Sequence, residues 1–339
     1  MKNVFADVVV DLQYGDCGKG KVVHHLASSG DYSLVMRFNG GSNAGHTIYH
    51  RGKKFVTHLV PAGVFHGIKS VVGGGCVINA EKFLREIDQL EEAGIEASKL
   101  VKVCYNAHVT TDRHMEEESS ELKIGTTRTG NGPTYRDKHA RSGVRAEEIA
   151  SLNRFLIDPY LALKYEGGTG VALMEGAQGF GLDIDWGDYP YVSSSNCTVA
   201  AAVNAGVPPQ NIRRVIGVAK PYVTYVGARD FAGNHPALQQ LQLVGEEYGA
   251  TTGRPRQCNW LSVPQLIKAA NINGVNTLIF NKTDVMQNVG AYMLFPDWKT
   301  ENVKEFDNMS DFQEYVEFYL RNACPLLEEI IWSSSPHEI

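Results

Sequence analysis

Val8-Val9-Val10-Asp11-Leu12-Gln13-Tyr14-Gly15-Asp16-Cys17-Gly18-Lys19-Gly20-Lys21-Val22-Val23 is the stretch from which the architecture of this chain is read. An apolar run leads into a glycine-rich turn, and the turn opens a segment, Val22-Val23-His24-His25-Leu26, that suits a helix. Gly15, Gly20 and Lys21 match the spacing GxxxxGK, in which glycines let backbone N–H groups approach a phosphate. The next position, where Ser or Thr would hold magnesium, is Val22. The loop carries an acid instead, Asp16. A carboxylate among phosphate-binding amides either binds the metal itself or acts as a base, and a plain nucleotide switch needs no such acid.

Short apolar runs recur before glycine-rich turns at 33–37, 70–72, 171–174, 215–218 and 277–280. Amphipathic segments lie between several of them; over 80–92, Phe83, Leu84, Ile87 and Leu90 share one helical face. Alternating strands and helices predict an α/β fold with a mostly parallel central sheet flanked by helices, with ligands at the carboxyl ends of the strands. The polar stretch 112–132 reads as a mobile loop, as do 228–236 and 248–259. No linker or repeat divides the chain, so 1–339 is expected to be a single domain.

With 43% hydrophobic residues the chain can bury a large core, and its net charge of −6 argues against a general nucleic-acid binder. Cys17, Cys76, Cys104, Cys197, Cys258 and Cys324 are scattered without a CxxC pair, as expected of reduced thiols in a cytoplasmic protein rather than a zinc site or disulfide framework. No segment is long and apolar enough to span a bilayer, and no secretory leader is apparent, so neither membrane nor nucleic acid is an expected partner.

Five further stretches carry chemistry. Asn39-Gly40-Gly41-Ser42-Asn43-Ala44-Gly45-His46-Thr47 is a second glycine-rich turn ending in a proton-donating group; alone it reads equally as a surface hairpin. Gly125-Thr126-Thr127-Arg128-Thr129-Gly130-Asn131-Gly132-Pro133, followed by Arg141, offers hydroxyls, amides and a guanidinium for phosphate, or is a solvated loop. Glu175-Gly176-Ala177-Gln178-Gly179 puts an uncharged amide at a strand end; Asp183, Asp185 and Asp188 beyond it lack the spacing of a calcium loop. Thr251-Thr252-Gly253-Arg254-Pro255-Arg256 pairs two arginines on a hydroxyl-bearing loop suited to a small dicarboxylate. Asn281-Lys282-Thr283-Asp284, after the run at 277–280, is an NKxD arrangement whose aspartate accepts from guanine N1–H and the 2-amino group. The phosphate loop and NKxD by themselves also fit a P-loop nucleotide switch or kinase.

Taken together and in order, these motifs resemble the adenylosuccinate synthetase family over nearly the whole chain. Its first-loop signature QWGDEGKGK appears as Gln13-Tyr14-Gly15-Asp16-Cys17-Gly18-Lys19-Gly20-Lys21. NAGHT stands at 43–47, EGAQG at 175–179, YPYVTSSN as Tyr189-Pro190-Tyr191-Val192-Ser193-Ser194-Ser195-Asn196, and GATTGR at 249–254. The resemblance implies a C–N ligase that joins L-aspartate to C6 of a 6-oxopurine nucleotide through a 6-phosphoryl intermediate. By resemblance Asp16, His46 and Lys19 are catalytic, Asp16 taking the N1 proton. Asp16 and the Gly45 carbonyl would ligate Mg²⁺. Asn43, Thr126, Thr127, Gln178 and Ser193 would line the monophosphate pocket, with Arg141 reaching the 5′-phosphate of a neighbouring subunit in a homodimer. Thr251, Thr252, Arg254 and Arg256 would clamp aspartate. Gly15, Cys17, Gly18, Lys19, Gly20, Lys21, Gly45, His46, Thr47, Asn281, Lys282, Asp284, Ser333, Ser335 and Pro336 would hold ATP or GTP.

The departures point to a branch. The Asp-Leu-Gln-Tyr-Gly opening and the Thr-Arg-x-Gly turn look like the phage members that convert dGMP to 2-amino-2′-deoxyadenylosuccinate for diaminopurine DNA. Val226-Gly227-Ala228-Arg229-Asp230-Phe231 replaces the usual VGAGPFPTE block. Cysteine at position 17 in place of glutamate is expected to make room for a 2-amino group. The IMP-dependent adenylosuccinate synthetase itself is the alternative.

Overall fold

Nine parallel strands form the central sheet of the protein, whose computed structural model describes residues 4–121, 123–166, 170–299 and 302–339. In chain order they are β1 (Phe5–Asp11), β2 (Tyr32–Arg37), β3 (Lys69–Val72), β4 (Val101–Cys104), β5 (Leu156–Ile157), β6 (Val171–Glu175), β7 (Ile212–Ala219), β8 (Thr277–Phe280) and β9 (Glu329–Trp332). Across the sheet they run β9-β8-β7-β1-β6-β2-β3-β4-β5, so β1 lies at the centre between β6 and β7. All pairs are parallel, and every loop that follows a strand therefore leaves from one edge. The expected fold class is the one found.

Alternation within β1 explains the two-sided cover. Val8 and Val10 are fully buried in the apolar core on one face, while Val9 is buried in the core on the other. The helix over 80–92, α2 (Ala80–Glu92; α1, Lys19–Ala27, follows the first loop), begins at Asn79, whose side-chain oxygen accepts the Lys82 N–H at 2.9 Å. Phe83, Ile87 and Leu90 are buried beneath it, each contributing about 1.5–3 kcal/mol, whereas Leu84 is only partly covered. A smaller four-stranded sheet (Tyr222–Tyr225, Gln257–Ser262, Tyr292–Phe295, Lys304–Phe306) and a hairpin (His46–His50, Lys53–Thr57) flank the functional edge.

Two loop expectations are corrected. The stretch 112–132 contains α3 (Asp112–Ser119) and the start of α4 (Asn131–Ala140). Its acidic run conceals a capped, amphipathic turn: the Thr111 N–H donates to His114 Nδ1 at 3.1 Å, and His114 and Glu118 are buried. The stretch 248–259 runs into the strand Gln257–Ser262, which pairs antiparallel with Tyr222–Tyr225. All six cysteines are free and buried. Among the described residues no helix is long and apolar enough to cross a membrane.

Candidate active site

The loop after β1 is wound around a carboxylate that the sequence reading did not single out. Asp11 Oδ1 accepts the N–H groups of Gln13 and Gly15 at 3.0 and 3.2 Å. Its Oδ2 accepts the Cys17 N–H at 3.1 Å and Lys19 Nζ at 3.0 Å. Gly15, Asp16 and Gly18 all have positive φ (85°, 58° and 97°), a conformation glycine adopts freely but which costs Asp16 roughly 1–2 kcal/mol. This winding turns the Asp16 side chain toward solvent while Cys17 faces inward, its thiol donating to Gln13 Oε1 at 3.0 Å. The expectation that Cys17 makes room at the substrate is thereby corrected: it does not line the cleft. With Gln13, Gly15 and Cys17 held by Asp11, the amides left for an anion are those at the start of α1, whose N-cap Gly18 supplies no side-chain cap.

Asp16 meets an arginine across the cleft. Arg256 Nε lies 3.0 Å from Asp16 Oδ2, and the far end of the same guanidinium bonds Glu247 Oε2. Glu247 is fully buried and also accepts from Lys220 Nζ (2.9 Å), Tyr222 Oη (2.7 Å) and Lys282 Nζ (3.1 Å). Burial pushes its carboxyl up, but Lys220, Lys282 and Arg256 outweigh that and leave it well below the usual range. Glu247 thus fixes both Arg256 and Lys282. Arg254 reaches the other wall, where Nη1 donates to the Gly125 carbonyl at 2.9 Å. Both arginines line the cleft. Thr251 and Thr252 do not: Thr251 Oγ1 lies 3.4 Å from the carbonyls of Asn43 and Ala44, and Thr252 Oγ1 accepts from Arg254 Nε at 3.3 Å.

His46 opens the hairpin strand at the cleft wall. Its Nδ1 is 2.5 Å from Glu175 Oε1, which also accepts Arg37 Nη2 at 2.6 Å; Arg37 and Glu175 are register partners at the ends of β2 and β6. Glu175 Oε2 takes the Ala62 N–H at 2.9 Å. Burial and the neighbouring Arg37 lower His46 to about 4, only partly offset by Glu175. Burial raises Glu175, yet Arg37 and His46 together hold it at about 2. At neutral pH the ring is therefore uncharged beside an ionised carboxylate, with Nδ1 carrying the proton and Nε2 left for a ligand. Lys19, 3% exposed, also lines the cleft.

Asn43, Thr126, Thr127, Gln178 and Ser193 come together on the same cleft, with Gly15 and Gly45. Gln178 Nε2 donates to Asn43 Oδ1 at 2.9 Å. Tyr14, Thr224, Tyr225 and Val226 line the same space and were not expected there, and Asn131, from the hydroxyl- and amide-bearing stretch 125–133, joins them. Both polar atoms of the buried Asn131 amide have no partner among the described residues, so this side chain presents unused hydrogen-bonding capacity at the start of α4. Arg141 is exposed at the far end of α4, outside its own chain's cleft.

The remaining expected donor-site residues gather behind the loop. Lys21 Nζ donates to Ser333 Oγ (2.6 Å) and the Ser335 carbonyl (2.7 Å), and burial lowers it to about 8. Asn281 Nδ2 donates to the Cys17 carbonyl at 2.7 Å, bracing the phosphate loop, and Thr283 Oγ1 donates to the Ser333 carbonyl at 2.8 Å. Asp284 is half-buried near Lys21; Thr47 is half-buried and Pro336 exposed. Gly18 and Gly20 are packing positions, since a Cβ would meet Asn281 Nδ2 and His46 Cβ, each at 2.7 Å.

A phosphate loop, a neutral histidine on a buried acid and a pair of arginines, all opening on one cleft of a parallel sheet, define a nucleotide-dependent group-transfer enzyme. The adenylosuccinate synthetase family model matches residues 8–159 and 158–323. Adenylosuccinate synthetase of Bordetella avium (strain 197N) is 35% identical over 389 residues, covering 98% of this chain and 88% of the relative. That of Chlorobium chlorochromatii (strain CaD3) is 38% identical over 336 residues, covering 83% and 77%. The fully ligated Plasmodium falciparum adenylosuccinate synthetase superposes with a TM-score of 0.82 at 27% identity over 98% of this chain and 97% of that one. Cyanophage S-2L succinoaminodeoxyadenylate synthetase, bound to dGMP and dATP, shares the fold with a TM-score of 0.75 at 22% identity, covering 99% and 94%. The chain belongs to the adenylosuccinate synthetase family and is a C–N bond-forming ligase of that type.

Proposed function

We propose that this ligase, acting as one domain, joins L-aspartate to C6 of dGMP with ATP or GTP as phosphoryl donor, giving 2-amino-2′-deoxyadenylosuccinate, a nucleoside diphosphate and phosphate. The observation that carries the reading is the convergence of Asp16, Lys19, His46, Arg254 and Arg256 on one cleft. Asp16 takes the N1 proton and drives charge onto O6, which receives the γ-phosphoryl group. Lys19 and the first-turn amides of α1 offset the charge that develops. Negative charge arriving beside His46 raises its proton affinity, so that Nε2 takes up a proton from solvent water as the triphosphate binds, and the imidazolium then donates a hydrogen bond from Nε2 to the transferring group. Arg254 and Arg256 hold the aspartate carboxylates, and the amine displaces phosphate from C6. The Asp16 carboxylate and the Gly45 carbonyl are hard oxygen donors on the same cleft and fit Mg²⁺, which would neutralise phosphoryl charge.

Support for the 2-amino acceptor comes from the coupling of two departures from the family signature. Tyr14 Oη donates to Asp188 Oδ2 at 2.7 Å, and Arg229 pairs with the same carboxylate. Tyr14 lines the cleft, and Arg229, from the block that departs from the signature, shares the Asp188 partner of its hydroxyl. A carboxylate at Asp16 accepts from N1–H and the 2-amino group together. IMP is the second reading, favoured by the adenylosuccinate synthetases at 35–38% identity. Phosphate release is measured with dGMP or IMP, each with aspartate, Mg²⁺ and ATP or GTP; aspartate-dependent turnover is expected on dGMP. Turnover on IMP with none on dGMP reverses the assignment. The partner-directed Arg141 completes the pocket of a neighbouring subunit in a homodimer.

A further inference from the structure

Three histidines from three elements converge behind the phosphate loop, outside the cleft described above. His24 lies on α1, His50 ends the strand His46–His50, and His66 ends the short turn Ala62–His66. One ring nitrogen from each lies within 4.8 Å of the other two, and His24 Nε2 is 3.2 Å from His50 Nδ1. Tetrahedral zinc with bonds of about 2.0–2.1 Å sets neighbouring ligand nitrogens about 3.3 Å apart, so the His24–His50 pair is already at that spacing. His66 Nε2 is buried with no hydrogen-bond partner among the described residues, and the His24 and His66 ring centroids are 4.4 Å apart. Phe65 packs against His24 and His50 with centroids 5.9 and 5.4 Å away, giving the cluster an apolar floor.

We propose that His24, His50 and His66 form a binding site for one divalent transition-metal ion of the zinc class, with water at the fourth position. The three rings are half-buried, and burial lowers the proton affinity of each, His24 to about 4, with its histidine neighbours adding to the effect. They therefore present lone pairs at neutral pH, as a metal requires. An all-imidazole set selects zinc, cobalt, nickel or copper over magnesium, which demands oxygen, so the site is chemically distinct from the one at Asp16 and Gly45. The exposed Arg51 is the charged neighbour that a bound ion displaces toward solvent. The ion would tie α1, which offers its first-turn amides to phosphate, to the hairpin that carries His46.

The test uses the full chain, chelator-treated and free of nucleotide, titrated with Co²⁺ by visible absorption and with Zn²⁺ by calorimetry under excess Mg²⁺. One ion per chain and the intense bands of four-coordinate Co²⁺ are expected, with the melting temperature raised by about 4 °C at a hundredfold excess of Zn²⁺ over its Kd. His50→Gln and His66→Gln each weaken binding at least about tenfold, while His25→Gln, exposed on the same helix, leaves it unchanged. His50→Gln alters a half-exposed side chain and keeps the test valid should His66→Gln fold poorly. Absence of stoichiometric binding, or binding that survives His50→Gln undiminished, overturns the proposal.

Discussion

Asp16 is held where a residue with a Cβ is least comfortable, with φ at 58° and its carboxylate facing Arg256. Strain of this kind persists only where the surroundings over-determine it, and here Asp11 supplies that restraint through four hydrogen bonds. The two aspartates therefore divide the work: one shapes the loop from inside, and the other is presented to the cleft. Asp16→Asn keeps the size and the ability to approach Arg256 but removes the base. Turnover is expected to fall by roughly 10²–10⁴-fold at saturating substrates, with the thermal midpoint little changed. Phosphate release within tenfold of the wild type would show that another group takes the proton. Neither Asp11 nor Glu247 stood out in the sequence. An acid closing an apolar strand just before a glycine loop was the available signal for Asp11. Glu247 had none, because its cations Lys220, Arg256 and Lys282 are brought to it by three different segments.

Period made the elements legible, and contact order hid the rest. The runs at 33–37, 70–72, 171–174, 215–218 and 277–280 became strands of one sheet, and the helix at 80–92 has the bounds its apolar spacing implied. Strand order was not legible, so the sequence could not place Arg37 against Glu175, 138 residues apart, nor three histidines on three elements. The side to which a loop residue points is equally hidden in a sequence: Cys17 faces Gln13 in the interior and not the substrate it is expected to accommodate. Gly20 illustrates how tightly these elements meet: it sits in the first turn of α1, where alanine is the better helix former by about 1 kcal/mol. A Cβ there would lie 2.7 Å from His46 Cβ and 3.3 Å from His46 Cα, so the gain in propensity is opposed by displacement of the hairpin. Gly20→Ala is expected to lower kcat by up to about 10²-fold, as a displacement near 1 Å at a reacting group does, in a protein that still folds. Circular dichroism and steady-state kinetics check this together; an unchanged kcat would mean that the hairpin yields without moving the His46 ring.

At the scale of the whole molecule, a sheet of parallel strands sends every functional loop to one edge, with an apolar core on each face below. The residues that line the cleft all come from one chain among the described residues, yet Arg141, matched by resemblance to a phosphate-binding arginine, is exposed at the far end of α4 and does not line it. The proposed homodimer reconciles the two facts, because an arginine useless to its own cleft can complete its neighbour's. Such sharing has a quantitative consequence. Asp16→Asn disables the cleft of the chain that carries it, while Arg141→Leu disables the cleft opposite. Mixed in equal amounts and allowed to exchange, the two inactive variants form heterodimers in about half of the dimers. Each heterodimer contains one cleft with an intact Asp16 and an intact Arg141 from its neighbour. About a quarter of wild-type activity per site should therefore return on mixing, and it should grow with the time allowed for subunit exchange. If Arg141 served its own chain, every cleft in the mixture would carry a lesion; if the protein were a monomer, mixing would do nothing. Activity that stays at the sum of the separate variants would accordingly remove both the shared site and the dimer from the account.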